Sequence, residues 1–273
     1  MTTGLMAGRL DEPRPTTAYL TTTPSTDGRP RLFCFHHAGG GAAAYAALRR
    51  ELTSRVDVLP VQLPGREGRV GDRLPATAAE LVADLDRQLD PYLTGRYACY
   101  GHSMGALVAH DLVALRQARG AALPLWLIAG AARAPQLPAA FVGAHTGSED
   151  QLVRAMLDIG GLSPQLLDYP DWLAAAVALT RGDLRLLASR DTAPGAALTC
   201  PVEVFHGSAD PLVSEDDALA WQQRAAAGFR LHRFTGGHFF HLGAARAEFT
   251  DRLARLLTGP APRPADADLA HRV

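Results

Sequence analysis

Lysine is absent from the 273 residues, so all 27 basic side chains are arginine. That absence excludes Schiff-base lysines, Ser-Lys dyads and lysine-bearing phosphate loops, and it leaves His, Asp, Glu or Tyr as any base. Cysteine is scarce. Cys34, Cys99 and Cys200 are scattered without metal-ligand spacing, in or beside apolar runs where a thiol behaves as a small hydrophobe, so they are expected to be reduced core residues. No sign of charge dominates: 27 basic against 28 acidic residues give a formal charge of -1, too little to gather nucleic acid or an anionic membrane. Long hydrophobic runs are missing too. The opening MTTGLMAGRLDEPRPTT has no apolar stretch of signal-peptide length, and no later segment approaches a membrane span. A cytoplasmic chain acting on small, largely apolar substrates is the expectation.

The 47% hydrophobic content supplies one sizeable core. Residues 1–28, rich in Thr, Pro and Gly, and the Pro/Ala-rich tail 259–273 are expected to be poorly ordered ends of a domain spanning 29–258. Within that domain short apolar runs predict strands near Arg31–His36, Val56–Leu63, Tyr97–Tyr100, Leu125–Ala129, Val202–Phe205 and Arg230–Phe234. Amphipathic segments predict helices near Ala42–Leu52, Ala76–Tyr92, Met104–Arg119, Glu215–Ala227 and Ala244–Leu257. The alternation implies parallel βαβ units. It breaks from about 131 to 190, where no strand pattern appears but Ser148 with Gln151 forms a capping-box signature ahead of Leu152, Met156 and Ile159. This helical insertion is expected either to cover the carboxyl ends of the strands as a lid, where ligands bind in such sheets, or to pack on the sheet as a further helical layer.

The most specific chemistry lies in YACYGHSMGA, where an apolar strand runs into Gly101-His102-Ser103-Met104-Gly105 and a helical pattern follows at once. In that strand-turn-helix context G-x-S-x-G is a nucleophile elbow, lifting the Ser103 hydroxyl above the sheet with a helix N-terminus behind it; the alternative is a glycine-lined turn with a capping serine. A nucleophilic serine needs a base and an orienting acid, in chain order Ser, acid, His. Asp210 follows the run VEVFHGSAD and His238 follows LHRFTGGHFF, each in a turn just past a strand. The alternatives are a turn-capping role for Asp210 before Pro211 and a solvated loop histidine at 238. His206 and His241 are rival bases, neither with both the loop position and the chain order, and Asp183, Asp191, Asp216 and Asp217 are weaker rival acids, lying in the insertion or at the start of a helix. The first strand runs into His36-His37-Ala38-Gly39-Gly40-Gly41, a loop suited to an oxyanion hole made by the N–H groups of Met104 and of Ala38 or a neighbour. A phosphate-binding reading of that loop lacks both lysine and the G-x-G-x-x-G spacing. Together these features predict the α/β-hydrolase fold, a mostly parallel twisted sheet flanked by helices with a helical lid insertion.

FHHAGGGA after the first strand, VQLPGREGR after the second, GHSMGA at the elbow, GSADPLV around the acid and GGHFFHL around the base cover nearly the whole body. These runs resemble the type II thioesterases that accompany polyketide and nonribosomal peptide assembly lines. Pro64 to Glu67 discriminates best, because generic esterases share the elbow and lack this run. His36 departs from the family, which often has proline there. The resemblance implies a thioester hydrolase of antibiotic biosynthesis that removes aberrant or stalled acyl groups from the phosphopantetheine arm of an acyl or peptidyl carrier protein. It places the triad at Ser103, Asp210 and His238 and the oxyanion donors at Ala38 and Met104; separately, no metal or organic cofactor, nucleic acid or membrane partner is expected, and the chain is expected to be a monomer. Arg154 and Arg181 of the insertion are expected to steer an acidic carrier. The other readings are a carboxylesterase or lipase acting on small lipids and a non-catalytic binding module, which predicts loss of a triad member.

Overall fold

The computed structural model of the protein describes residues 17–193 and 195–260. The tail expected to be poorly ordered therefore lies outside the described residues from 261 onward, as does the N-terminal stretch up to 16. Within the described part of that stretch, Tyr19 and Leu20 are buried, the Tyr19 hydroxyl donates to Asp84 at 2.6 Å, and Leu20 bridges Val61.

Six strands form one wholly parallel sheet: β1 (Arg31–Phe35), β2 (Asp57–Val61), β3 (Tyr97–His102), β4 (Leu127–Gly130), β5 (Val202–Gly207) and β6 (Phe229–Phe234), in the order β2-β1-β3-β4-β5-β6. A parallel sheet is covered on both faces, so its inner strands are apolar at successive positions. Phe33 and Phe35 of β1, Tyr97 and Cys99 of β3, and Val202 and Val204 of β5 enter one core layer. Their neighbours Leu32, Cys34, Ala98, Tyr100 and Phe205 enter the other. The three cysteines are free and buried. Pro60 is tolerated because β2 is an edge strand, with ladder partners on one side only.

Helices α1 (Ala46–Leu52), α2 (Ala78–Leu89), α3 (Met104–Ala118), α6 (Glu215–Leu219) and α7 (Arg246–Thr258) supply the flanking layers. α2 and α3 pack on the first core layer and α1 and α7 on the second. Between β4 and β5 stand two 3-10 turns, 142–146 and 164–168, and helices α4 (Glu149–Asp158) and α5 (Pro170–Ala188), with no strand among the described residues. Both capping-box bonds at Ser148 and Gln151 are formed, at 3.2 and 2.8 Å. The chain departs in opposite directions from β1 and β3, and their adjacent carboxyl ends make the crevice in which such sheets bind ligands. The insertion covers that crevice: Phe141, Met156, Ile159, Leu184 and Leu187 line a cavity that reaches Ser103.

Candidate active site

Ser103 sits between the end of β3 and the first turn of α3 with φ 54° and ψ -117°, a strained conformation for a residue with a side chain. Two glycines permit it by close approach. A Cβ on Gly101 would stand 2.1 Å from the Gly105 carbonyl oxygen, and one on Gly105 would stand 2.1 Å from that of Phe35. The Ser103 N–H donates to the Gly130 carbonyl at 2.8 Å, which ties the turn to β4. The half-buried serine thus lies at the positive end of the α3 macrodipole.

Asp210 lies just past β5 and His238 just past β6. His238 Nδ1 is 2.9 Å from Asp210 Oδ2 and 3.1 Å from Oδ1, with both side chains buried. Asp210 Oδ1 also accepts from the Leu212 N–H at 2.9 Å and the Val213 N–H at 3.3 Å, so one carboxylate both caps the turn and meets His238. Ser103, His238, His37 and Ala38 line the same cavity. Among the described residues no hydrogen bond joins Ser103 to His238; serine-base bonds are often loose without substrate.

The rival histidines are buried, and the rival acids Asp183, Asp191 and Asp217 are engaged elsewhere. His241 is held down to about 3, first by burial and then by the charges of His37, His238 and Arg246, and its Nδ1 has no partner. His206 is buried in β5. Asp191 accepts from the Ala193 N–H at 2.8 Å, and Asp217 completes a capping box with Ser214 and pairs with Arg133 at 2.9 Å. Asp183 forms a buried pair with Arg66. His37 lines the cavity but is lowered to about 4, again chiefly by burial, with His238 and Arg66 adding to it. It therefore stays neutral beside His238.

The loop after β1 turns through Gly39, at φ +76°, and the Gly40 N–H donates to the His37 carbonyl at 3.0 Å. Among the described residues no hydrogen bond uses the Ala38 N–H. Met104 opens α3, where N–H groups have no intrahelical acceptor. Both N–H groups thus belong to segments that adjoin Ser103, Met104 as the next residue and Ala38 across the shared cavity. Sequence reasoning missed Arg66, Glu67 and Thr180, which pack against this loop; the only signal was the Pro64 to Glu67 run. No group of three or more His, Cys, Asp and Glu able to hold a metal occurs among the described residues, and no helix among them is long and apolar enough to cross a membrane.

The model of the thioesterase domain family matches residues 30–257. A probable cadicidin biosynthesis thioesterase from Streptomyces griseus is 32% identical over 84% of the chain, which spans 64% of that protein. Among solved structures, the RedJ thioesterase of the prodiginine biosynthetic pathway in Streptomyces coelicolor is 32% identical, with a TM-score of 0.79 and coverage of 89% of this chain and 96% of that one. The type II thioesterase BorB from the borrelidin biosynthetic cluster is 31% identical, with a TM-score of 0.77 over 85% and 94% of the two chains.

Proposed function

The chain belongs to the thioesterase domain family and is a thioester hydrolase, and we propose that it is a type II enzyme that clears acyl groups from the phosphopantetheine arm of acyl or peptidyl carrier proteins. The observation that carries this reading is that a strained Ser103 and an Asp210-held His238 open onto one cavity beneath the insertion. His238 takes the proton of Ser103 as its oxygen attacks the thioester carbonyl, and Asp210 keeps Nδ1 protonated and the ring oriented. Negative charge on the former carbonyl oxygen is met by the N–H groups of Met104 and Ala38. The thiolate of the arm leaves and takes the proton that His238 gained from Ser103, which returns the imidazole to its neutral form. His238 then deprotonates a water that attacks the acyl-serine ester, releasing a free acid and restoring Ser103.

The origin of BorB in a biosynthetic cluster and of RedJ in a biosynthetic pathway supports the carrier-bound substrate, as does the Pro64 to Glu67 run. Of the two arginines expected to steer docking, Arg181 is occupied, donating to the carbonyls of His145 and Gly147 at 2.7 and 2.8 Å. Exposed Arg154 on α4 is the one left to meet an acidic partner. The test compares kcat/KM for one acyl group on a carrier protein and on N-acetylcysteamine, at low and high salt. Remote binding energy used at the reacting centre predicts a carrier advantage in kcat that shrinks with salt. Equal efficiency on both would sink the carrier-specific reading.

A further inference from the structure

A buried ion pair that the proposed mechanism does not use stands behind the glycine loop. Arg66, in the turn after β2, and Asp183, on α5, are 3% and 0% exposed. They meet through two parallel bonds, Nη2 to Oδ1 at 2.6 Å and Nη1 to Oδ2 at 2.8 Å. Each also grips the loop. The Gly39 N–H donates to Asp183 Oδ2 at 2.8 Å, and Arg66 Nη1 donates to the Gly40 carbonyl at 2.9 Å. Acceptor and donor thus hold the first and third peptide units after Ala38.

The surroundings leave this grip little play. Arg66 Nε donates to the Pro64 carbonyl at 3.1 Å, and the Arg66 carbonyl accepts from Gln62 Nε2 at 3.2 Å, which fixes the arginine at both ends. Thr180, one turn before Asp183, closes on Gly39: a Cβ there would lie 2.2 Å from its Oγ1. Glu67 does the same for Gly41 and accepts from the Ala43 N–H at 3.1 Å. A buried pair of this kind contributes little net stability, because desolvating two charges offsets their attraction. Its distinctive product here is a fixed backbone course beside Ser103, where a displacement of about 1 Å is enough to lose catalytic alignment.

We propose that Arg66 and Asp183 are positioning residues that aim the Ala38 N–H at the developing oxyanion, so that the oxyanion hole is complete only while α5 of the insertion is docked on the glycine loop. This rests on the reading of Ser103 as the nucleophile. The half of the hole contributed by Met104 is built into α3, whereas the Ala38 half is held by a side chain that arrives from 144 residues further along the chain.

The test measures kcat and KM on an acyl-N-acetylcysteamine, together with the affinity of a matching trifluoromethyl ketone, which adds to Ser103 and places an oxyanion in the hole. Asp183→Asn, Arg66→Lys and the double variant Arg66→Met/Asp183→Leu are compared with Asp86→Asn, which takes one of its two aspartate partners from Arg116 where α2 meets α3. The double variant replaces the charges with apolar groups and so avoids leaving one buried and unpaired. Expected for the pair variants is a fall in kcat of roughly ten- to hundredfold, KM within about threefold, and a parallel loss of ketone affinity. Asp86→Asn should lower thermal stability with kcat per folded molecule unchanged. Wild-type kcat and ketone affinity in a folded pair variant would overturn the proposal, as would a loss confined to KM. Fluorophosphonate labelling separates the two levels of argument, since phosphonylation also develops charge in the hole without a thioester. Slow labelling of the pair variants supports the positioning role even if thioesters are poor substrates. A wild-type protein not labelled at Ser103 overturns the nucleophile assignment instead.

Discussion

Asp210 presents both carboxylate oxygens to one nitrogen of His238, Oδ2 at 2.9 Å and Oδ1 at 3.1 Å, while Oδ1 is also held by two backbone N–H groups. The backbone bonds orient the carboxylate whether or not histidine is present, so an amide at 210 keeps much of the turn and loses the charge that selects the Nδ1-protonated tautomer. Asp210→Asn is expected to stay folded and to lower kcat by about 10⁴. Asp191→Asn should remain within about threefold of wild type, because that carboxylate serves a local turn. Steady-state kinetics on both decides the acid: a mild Asp210→Asn beside a crippled Asp191→Asn reverses the assignment.

Ser103→Ala removes only the hydroxyl proposed as nucleophile from the elbow. Turnover should fall by at least about a thousandfold, since binding and oxyanion contacts alone leave a small residual rate. A fluorophosphonate should add its mass to the wild-type peptide carrying Ser103. Adduct on another residue, with Ser103 unmodified, would contradict the assignment.

Gly105→Ala tests the elbow as a packing device. Its Cβ would meet the carbonyl oxygens of Phe35 and His36 at 2.1 and 2.7 Å, and both belong to the backbone of the neighbouring strand segment. Backbone cannot swing aside as a flexible side chain can, so a loss of about 3 kcal/mol or more is expected by urea unfolding. Gly68→Ala, where a Cβ meets nothing within 4 Å, should change stability by less than about 0.5 kcal/mol. Similar losses at the two positions would show that the approach of α3 to β1 is not tight.

Much of this architecture was legible because strands buried on both faces read as short apolar runs, and the turns after β3, β5 and β6 carry Ser103, Asp210 and His238 in plain chain order. Boundaries were less so. The helix expected over Glu215–Ala227 ends at Leu219 and tightens into a 3-10 turn over 220–224, where fully buried Trp221 donates its ring N–H to the Ala132 carbonyl at 2.8 Å. A tertiary contact decides that geometry, and local propensity does not contain it. The grip of Arg66 and Asp183 on the glycine loop was invisible for a stronger reason. The partners stand 117 residues apart, one in a turn and one inside a helix, and nothing in spacing or periodicity pairs them.

The histidines around the site set an acid limit on stability. His36 and His102 are held well below the usual imidazole range, His37 at about 4 and His241 at about 3, each chiefly by burial. Unfolding exposes them, and near pH 5 the unfolded chain then binds protons that the folded chain excludes. Stability therefore rises with pH in this window, is fully present above about 6.5, and is lost as pH falls toward 4, by ~1.4 kcal/mol per pH unit for each proton taken up. Urea titrations at pH 5, 6 and 7 should give a slope corresponding to two or more protons. A flat profile would mean that the cluster opens to water or is protonated in the folded state.

The last expectation concerns the apolar end of the cavity. Met156, only 5% exposed, projects from α4 into the space that Phe141, Ile159, Leu184 and Leu212 also line beside Ser103. If the acyl chain occupies this space during attack, Met156→Ala replaces protein carbons with room for substrate carbons, and each further methylene buried is worth about 0.8 kcal/mol, close to a fourfold effect. The variant should cost about 2–5 kcal/mol of stability from the cavity it leaves, so kinetics belong at a temperature where it is fully folded. There, kcat/KM for longer acyl-N-acetylcysteamines should rise relative to the acetyl compound by about fourfold per accommodated methylene, while the acetyl rate changes little. The selectivity ratio cancels any common effect on Ser103 or His238, and it therefore reports only where the chain lies. An unchanged chain-length profile in the folded variant would place the acyl group elsewhere.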